Sequence, residues 1–229
     1  MYMRAFILPI ALTFLLTSCG SKQPANTTEV PEETDTATQV EAPSAQDTPG
    51  NPTKQFVHSQ YRYADFNSNL IIIENSYPKG GLKYTSPEGE TYVYAVFWTR
   101  ITNQTANPFE LNLAFSEAPY ELPGAPESSF QLFIPTETFA PEKTAWMNYG
   151  LDLEKTMDNK RLTQRQLNRT ITSGSSSSFY IIALFNKGVE GATRTGLSIK
   201  GQRLQYRLND KNISCGEVNL SGLKPLFDW

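Results

Sequence analysis

The segment Thr91–Gln104 constrains the fold of this chain more than any other stretch. Its sequence reads TYVYAVFWTRITNQ. Successive side chains of a β-strand point to opposite faces of the sheet, so residues at every second position share a face. Both faces are apolar as far as Trp98, which predicts a central strand covered on both sides. The two sets are Val93, Ala95, Phe97 and Ile101, and Tyr92, Tyr94, Val96 and Trp98.

Shorter segments with the same period of two surround this strand in the sequence. Turn clusters rich in Gly, Pro and Asn separate them, for example Ser86–Gly89 and Asn209–Asn212. This pattern predicts an all-β fold, a single antiparallel β-sandwich of eight or nine strands. The further strand candidates are Tyr61–Phe66, Leu70–Asn75, Phe109–Phe115, Phe130–Ile134, Ser178–Phe185, Gly196–Ile199, Leu204–Leu208 and Ile213–Val218.

Two local features add detail to the predicted sandwich. The turn residues Asn103–Pro108 separate two strand patterns, and we expect them to close a hairpin between Thr91–Gln104 and Phe109–Phe115. The stretch Leu151–Leu167 carries Leu153, Met157 and Leu162 at near-helical spacing. It predicts one or two helical turns that cross an edge of the sandwich.

The composition changes sharply near Lys54. Residues 20–53 lack aromatic side chains and carry six acidic residues and one basic residue. Such a segment buries too little apolar surface to offset the entropy of ordering its backbone. We therefore expect a disordered acidic linker over residues 19–54 and a β-sandwich domain over residues 55–229. The 17 acidic and 18 basic residues of 54–229 leave the domain nearly neutral, which gives no indication of nucleic-acid binding.

The first 18 residues have the features of a secretory signal peptide. Arg4 precedes a 12-residue apolar stretch, Ala5–Leu16, which is too short to span a membrane as a helix. The tetrapeptide Leu16-Thr17-Ser18-Cys19 resembles the lipobox of bacterial lipoprotein precursors. That resemblance implies cleavage between Ser18 and Cys19 and a diacylglycerol on Cys19. An ordinary cleaved signal that ends near Cys19 by chance is the alternative.

The lipoprotein resemblance also has consequences for location. Gly20 is the residue after the lipidated cysteine. In enteric bacteria an aspartate at this position is the signal for retention in the inner membrane, so the resemblance implies an outer-membrane anchor. Whether the domain faces the periplasm or the cell surface stays open. The tripeptide Asp35-Thr36-Ala37 resembles the acceptor for O-glycosylation of exported proteins in some Gram-negative lineages, which makes Thr36 a candidate modification site.

The chain has a predicted hairpin over Thr91–Phe115, a late strand that Ser177–Phe185 enters, and a terminal hairpin around Asn209–Asn212. This layout resembles that of immunoglobulin-like lipoprotein ectodomains of uncharacterised function. The chain has two cysteines, and lipidation of Cys19 leaves Cys215 without an intramolecular disulfide partner. Alternation over Ile213–Val218 points Cys215 to the same face as Ile213. We therefore expect Cys215 to act as a small buried apolar residue rather than a reactive thiol.

The sequence offers few groups for catalysis. His58 is the single histidine of the chain and lies at the junction of linker and domain, and no nucleophile elbow or phosphate-binding glycine loop is present. One histidine and one free cysteine do not make an ordinary zinc site. We therefore predict no catalytic residue, no metal and no cofactor, and hence no enzyme.

Two groups of residues are candidates for binding. Trp146 and Tyr149 lie in a loop, where aromatic side chains stack on sugars or anchor protein partners. Arg161 and Arg165 belong to a basic run that would share one face if the segment were helical. Packing over the ends of the sheets and a solvated charged face are the structural alternatives.

These observations favour a lipid-anchored envelope protein that binds a protein or a glycan, or serves as an accessory subunit. Two other functions stay open. One is a hydrolase of envelope or dietary polysaccharide that uses two carboxyl groups about 5–10 Å apart, one with a raised pKa. The other is a structural lipoprotein without a ligand.

Overall fold

The computed structural model describes residues 54–189 and 191–226. The predicted signal peptide (residues 1–18), the Ser18–Cys19 cleavage site, the lipid on Cys19, Thr36 and residues 19–53 of the linker lie outside the described residues. Lys54, the last residue assigned to the linker, lies in a short 3₁₀ helix, Lys54–Phe56.

The larger of two antiparallel sheets contains nine strands. Its order is β14-β1-β2-β4-β10-β7-β6, with β3 paired to β4 and β8 paired to β7. The strands are β1 (Val57–Ala64), β2 (Leu70–Ser76), β3 (Lys79–Thr85), β4 (Thr91–Asn103), β6 (Tyr120–Leu122), β7 (Ala125–Pro135), β8 (Thr163–Gln164), β10 (Ser176–Phe185) and β14 (Lys224–Leu226).

The smaller sheet contains five strands in the order β11-β12-β13-β5-β9. They are β5 (Phe109–Ala114), β9 (Gln166–Ile171), β11 (Thr195–Lys200), β12 (Arg203–Leu208) and β13 (Lys211–Val218). The prediction of an all-β antiparallel sandwich is therefore confirmed. Each strand predicted from alternation is present, and β12 and β13 form a hairpin around Asn209–Asn212. The predicted number of eight or nine strands is too low, because the described residues form fourteen. The additional strands are β3, β6, β8, β9 and β14.

The central strands β4 and β10 are apolar on both faces, and each face has its own core. One face packs against the smaller sheet, where the fully buried side chains include Ile71, Phe97, Leu113, Phe179 and Tyr206. The opposite face of β4 and β10 carries Val96, Trp98, Tyr180 and Ile182 into a second buried cluster. The prediction that Thr91–Gln104 is covered on both sides is confirmed.

The connection formed by residues 136–162 covers the second face. It contains the 3₁₀ helices Pro141–Lys143, Met147–Gly150 and Lys160–Leu162, and the helix α1 (Leu153–Asp158). Phe139 stacks on Trp98 with ring centroids 4.9 Å apart and an interplanar angle of 15°. Tyr149, Leu151 and Leu153 complete this cover, and all three are buried. A β-sheet face is normally stabilised by such burial of its apolar side chains.

The prediction for Leu151–Leu167 is right only in part. Helical turns are present over Leu153–Asp158 and Lys160–Leu162, but β8 and β9 begin at Thr163 and Gln166. The helical turns also lie over a sheet face rather than crossing an edge, because Leu151 and Leu153 pack into the second buried cluster. Asp152 caps α1, and its carboxylate accepts a hydrogen bond of 3.1 Å from the backbone N–H of Lys155.

The predicted hairpin between β4 and β5 is wrong. β4 pairs with β2, β3 and β10 in the larger sheet, whereas β5 pairs with β9 and β13 in the smaller one. The side chain of Asn103, at the end of β4, fixes this change of sheet. Its Nδ2 donates to the carbonyl oxygens of Asn107 and Ile171 at 2.8 Å each, and its Oδ1 accepts from Thr105. A buried amide whose hydrogen bonds are all satisfied stabilises a single conformation of the backbone around it.

Side chains of the larger sheet also bind the edge strand of the smaller one. The amide of Asn75 on β2 pairs with Leu197 on β11 as a backbone unit would. Its Nδ2 donates to the carbonyl oxygen of Leu197 at 3.1 Å, and its Oδ1 accepts from the Leu197 N–H at 2.9 Å. The hydroxyl of Tyr63 accepts from the N–H of Ile199 at 2.7 Å. These bonds join the two sheets along one side of the sandwich.

Cys215 lies in the core between the sheets, as predicted, and is 2% exposed. Burial raises the pKa of its thiol to about 12. The thiol is therefore protonated and shielded at neutral pH, which is typical of an inert structural cysteine.

Candidate functional site

Three exposed apolar side chains define the candidate site. Trp146 and Met147 are 61% and 67% exposed, and Tyr77, which precedes β3, is 44% exposed. We call Tyr77, Trp146 and Met147 the Trp146 patch. Most other large apolar side chains of the described residues are buried. The two segments that carry these three are in contact, because the Tyr149 hydroxyl bonds the carbonyl oxygen of Tyr77. Exposed apolar side chains on neighbouring segments mark a candidate interaction surface.

Lys79 ties the two segments of the patch together. Its Nζ donates to the carbonyl oxygen of Thr144 at 2.5 Å and to that of Trp146 at 2.6 Å. The same ammonium lies 4.4 Å from the ring centroid of Tyr149 and 4.8 Å from that of Phe56. Partial burial lowers the pKa of Lys79 below its usual value. The loop carbonyls and the two aromatic rings together satisfy this partly buried cation.

The backbone of the loop is held in an unusual conformation. Asn148 and Tyr149 have φ angles of 49° and 57°, and Gly150 follows with a φ of 78°. The left-handed region costs a non-glycine residue roughly 1–2 kcal/mol. Such strain persists only where the surroundings determine the conformation, and it is concentrated at functional sites.

Contacts of Tyr149 stabilise this backbone conformation. Its side chain is fully buried, and its hydroxyl donates to the carbonyl oxygen of Tyr77 at 2.6 Å. The hydroxyl of Tyr180 in turn donates to the carbonyl oxygen of Tyr149 at 2.9 Å. The ring packs edge-on against Trp98, with centroids 6.5 Å apart. Tyr149 therefore fixes the loop to the buried cluster, while the side chain of Trp146 is exposed to solvent.

The four predicted contact residues thus have different environments. Trp146 and Arg161 are exposed, whereas Tyr149 is buried. Arg165 is half-buried, and its Nη1 donates to the carbonyl oxygens of Ser116 at 2.9 Å and Leu132 at 3.1 Å. Its guanidinium also lies 4.3 Å from the ring centroid of Phe133. The structure does not bring Arg161 and Arg165 onto one helical face, because β8 lies between them.

No protein family, curated protein or solved structure matches this chain. Among the residues that the structure describes, no helix is long and apolar enough to cross a membrane. The same residues contain no group of three or more His, Cys, Asp or Glu side chains that could hold a metal ion.

His58 borders the patch, and its environment favours the neutral imidazole. The ring lies against Tyr77 with centroids 5.1 Å apart, and Nδ1 accepts from the Arg194 guanidinium at 3.5 Å. Burial lowers the pKa of His58 below 6.5, and the positive charges of Arg194 and Arg207 lower it further.

We expect this environment to make stability depend on pH. Just below pH 6.5 the unfolded chain binds a proton that the folded chain does not, so stability falls as the pH drops from 6.5 through the folded pKa. Because the chain has one histidine, NMR titration of its imidazole gives this pKa directly. The expected value is below 6.5, and the His58→Gln variant should lose this part of the pH dependence. A His58 pKa above 6.5 would contradict the expectation.

Proposed function

We propose that this chain is a lipid-anchored protein of the cell envelope whose β-sandwich binds another envelope protein through the Trp146 patch, without catalysing a reaction. The observation that carries the proposal is an exposed tryptophan on a loop that the fold holds rigidly. Trp146 is 61% exposed, although its own carbonyl oxygen and that of Thr144 are both bound by Lys79.

The residue types of the patch favour a protein partner. Tryptophan, tyrosine and methionine are enriched in protein interfaces, and a few buried aromatic anchors supply most of the binding energy there. A loop that is already ordered loses little conformational entropy on binding. A glycan is the alternative ligand, because an exposed indole also stacks on sugar rings.

The lipid anchor is the second part of the proposal and rests on the sequence alone. Lipid on Cys19 would hold the protein stably, because each buried methylene contributes roughly 0.8 kcal/mol and two or more chains act together. A linker of about 35 residues would allow the domain an r.m.s. reach of roughly 30–35 Å from the membrane.

Replacing Cys19 with alanine tests the anchor. We expect radiolabelled palmitate to be incorporated into the wild-type protein and not into Cys19→Ala, because the variant lacks the thiol that accepts the diacylglycerol. Cys215→Ala is the matched control and should be labelled like the wild type, since its thiol is buried in the core. Equal labelling of Cys19→Ala and the wild type would disprove the anchor.

A pull-down with the anchored protein from detergent-solubilised envelope tests the binding function. We expect a stoichiometric protein partner that is retained by the wild type and lost with Trp146→Ala. A partner retained equally by both proteins would contradict the role of the patch. Binding of the wild type to a glycan array, without any retained protein, would replace the protein partner with a sugar ligand.

A further inference from the structure

A groove at one end of the larger sheet is separate from the Trp146 patch. It lies on the sheet face that residues 136–162 cover, where the β3–β4 turn and the end of α1 leave part of the sheet open. The cavity has a volume of about 370 Å³. This is within the range of roughly 300–1,000 Å³ that is typical of small-molecule sites.

Aromatic and apolar side chains form the walls and floor of the groove. Tyr84 on β3 and Tyr92 on β4 are a cross-strand pair, with ring centroids 6.4 Å apart and an interplanar angle of 25°. Phe133, Met157 and Leu184 line the cavity as well. Such a surface suits a ligand with a flat or ring-shaped apolar face.

The rim of the groove carries more negative than positive charge. Glu88, Glu90 and Asp158 line it together with a single cation, Lys160. Hydrogen bonds from its own backbone N–H and from Ser86 hold the pKa of Glu88 below its usual value, and Lys160 adds to the effect. Glu88 is therefore a carboxylate at neutral pH.

The carboxylates of Asp158 and Glu90 can each accept hydrogen bonds from a ligand. The third, Glu88, lies 4.0 Å from Lys160, and both of these side chains are well exposed, so this ion pair contributes little to stability. Asp158 accepts a hydrogen bond of 2.8 Å from the Tyr84 hydroxyl through Oδ1, which leaves its Oδ2. In the described part of the chain, the Glu90 carboxylate forms no hydrogen bond or ion pair.

Neutral polar groups complete the lining. The Ser86 and Thr163 hydroxyls and the Gln131 amide border the same cavity. The Ser86 hydroxyl already bonds with Glu88, and the Gln131 Nε2 donates to the carbonyl oxygen of Glu117 at 3.5 Å. The Gln131 Oε1 and the Thr163 hydroxyl can still bond with the hydroxyls of a sugar, whereas a simple alkylamine has only its ammonium to offer. These groups lie beside two tyrosines, the Glu90 carboxylate and the Oδ2 of Asp158, and this combination favours a sugar that carries an amino group.

We propose that this groove binds an amino sugar with a free, protonated amino group. One face of the ring packs on Tyr84 and Tyr92, the ammonium lies between Glu90 and Asp158, and the sugar hydroxyls bond with Gln131 and Thr163. Charge-assisted hydrogen bonds from ammonium to carboxylate and cation–π attraction to the tyrosines both favour the charged amine over its neutral derivative. The site is independent of the Trp146 patch.

Glucosamine and N-acetylglucosamine are the probes that test this site on the wild-type protein. They share the sugar ring, but only glucosamine carries a positive charge. In an NMR titration we expect glucosamine to shift the amide signals of residues 84–92 and 157–163, and N-acetylglucosamine to bind about tenfold more weakly. Equal binding of the two sugars, or shifts confined to other residues, would overturn the proposal. Equal binding of cadaverine, an amine without a ring, would overturn the assignment to a sugar.

A pair of variants assigns the charge to the groove. Glu90→Gln keeps the shape of an exposed side chain and removes the unpaired carboxylate, so glucosamine should bind about tenfold more weakly. Glu217→Gln is the matched control, because Glu217 is an exposed glutamate on β13 of the smaller sheet. Equal glucosamine binding by the wild type and Glu90→Gln would contradict the proposed contact.

Discussion

Replacing Asn75 with alanine is expected to lower the free energy of unfolding by about 3–5 kcal/mol. The amide of Asn75 bonds both backbone polar groups of Leu197 and accepts from the Thr99 hydroxyl at 3.0 Å. Asn75, Thr99 and Leu197 are all essentially unexposed. The substitution leaves three polar groups buried without partners, each of which costs roughly 1–3 kcal/mol. It also removes two hydrogen bonds between the two sheets.

Urea unfolding of the detergent-solubilised protein, followed by tryptophan fluorescence, measures this change. Asn168→Ala is the matched control, because Asn168 is an exposed asparagine within β9. Surface substitutions of this kind usually change stability by less than about 0.5 kcal/mol. A loss of less than about 1 kcal/mol in Asn75→Ala would show that the amide is not what joins β11 to the larger sheet.

Replacing Trp146 with alanine is expected to weaken binding of the protein partner by about 30-fold or more. This corresponds to at least about 2 kcal/mol, the scale of an interface hot spot. Stability should change little, because the indole is 61% exposed and the Lys79 bond uses the backbone carbonyl, which alanine retains. The affinity is measured by titration of the partner identified in the pull-down.

Phe66→Ala is the matched control for Trp146→Ala. Phe66 is also an exposed aromatic residue, at 79%, but it lies between β1 and β2. We expect the control to bind like the wild type, because Phe66 lies outside the Trp146 patch. Equal weakening in Phe66→Ala and Trp146→Ala would indicate nonspecific apolar adhesion instead of a defined patch.

The sequence predicts the central strands well because their patterns are strong. β4 is apolar on both faces, and β5 alternates through Phe109, Leu111 and Leu113, so burial alone determines their period. The strands that the sequence does not reveal have weaker patterns. β3 (KGGLKYT) has one buried side chain, Tyr84, and its second and third residues are glycines that resemble a turn. Its pairing with β4 decides its structure rather than its own propensity.

The error at β4–β5 has a different physical origin. The turn residues Asn103–Pro108 indicate a change of direction, but a turn pattern does not specify which sheet the next strand joins. Tertiary hydrogen bonds decide this, since Asn103 bonds the carbonyl oxygen of Ile171, a residue 68 positions later in the chain. Contacts over such separations are not visible in a local pattern.

The candidate sites were predictable to unequal degrees. The loop aromatics Trp146 and Tyr149 are three positions apart, yet one is exposed and the other buried. Their opposite roles follow from the left-handed backbone at Asn148 and Tyr149, and no propensity rule predicts two such residues in succession. The groove is harder still, because β3, β4, β7, α1 and β10 each contribute side chains to it.

Site-specific photocrosslinking in living cells tests most directly whether the Trp146 patch contacts a partner. Benzoylphenylalanine replaces Ala145, an exposed residue next to Trp146, and Asn67, an exposed residue next to Phe66. The proposal predicts a single crosslinked protein from position 145 that disappears when Trp146→Ala is added, and none from position 67. The same crosslinks from both positions, or crosslinks from position 145 that persist without Trp146, would contradict it.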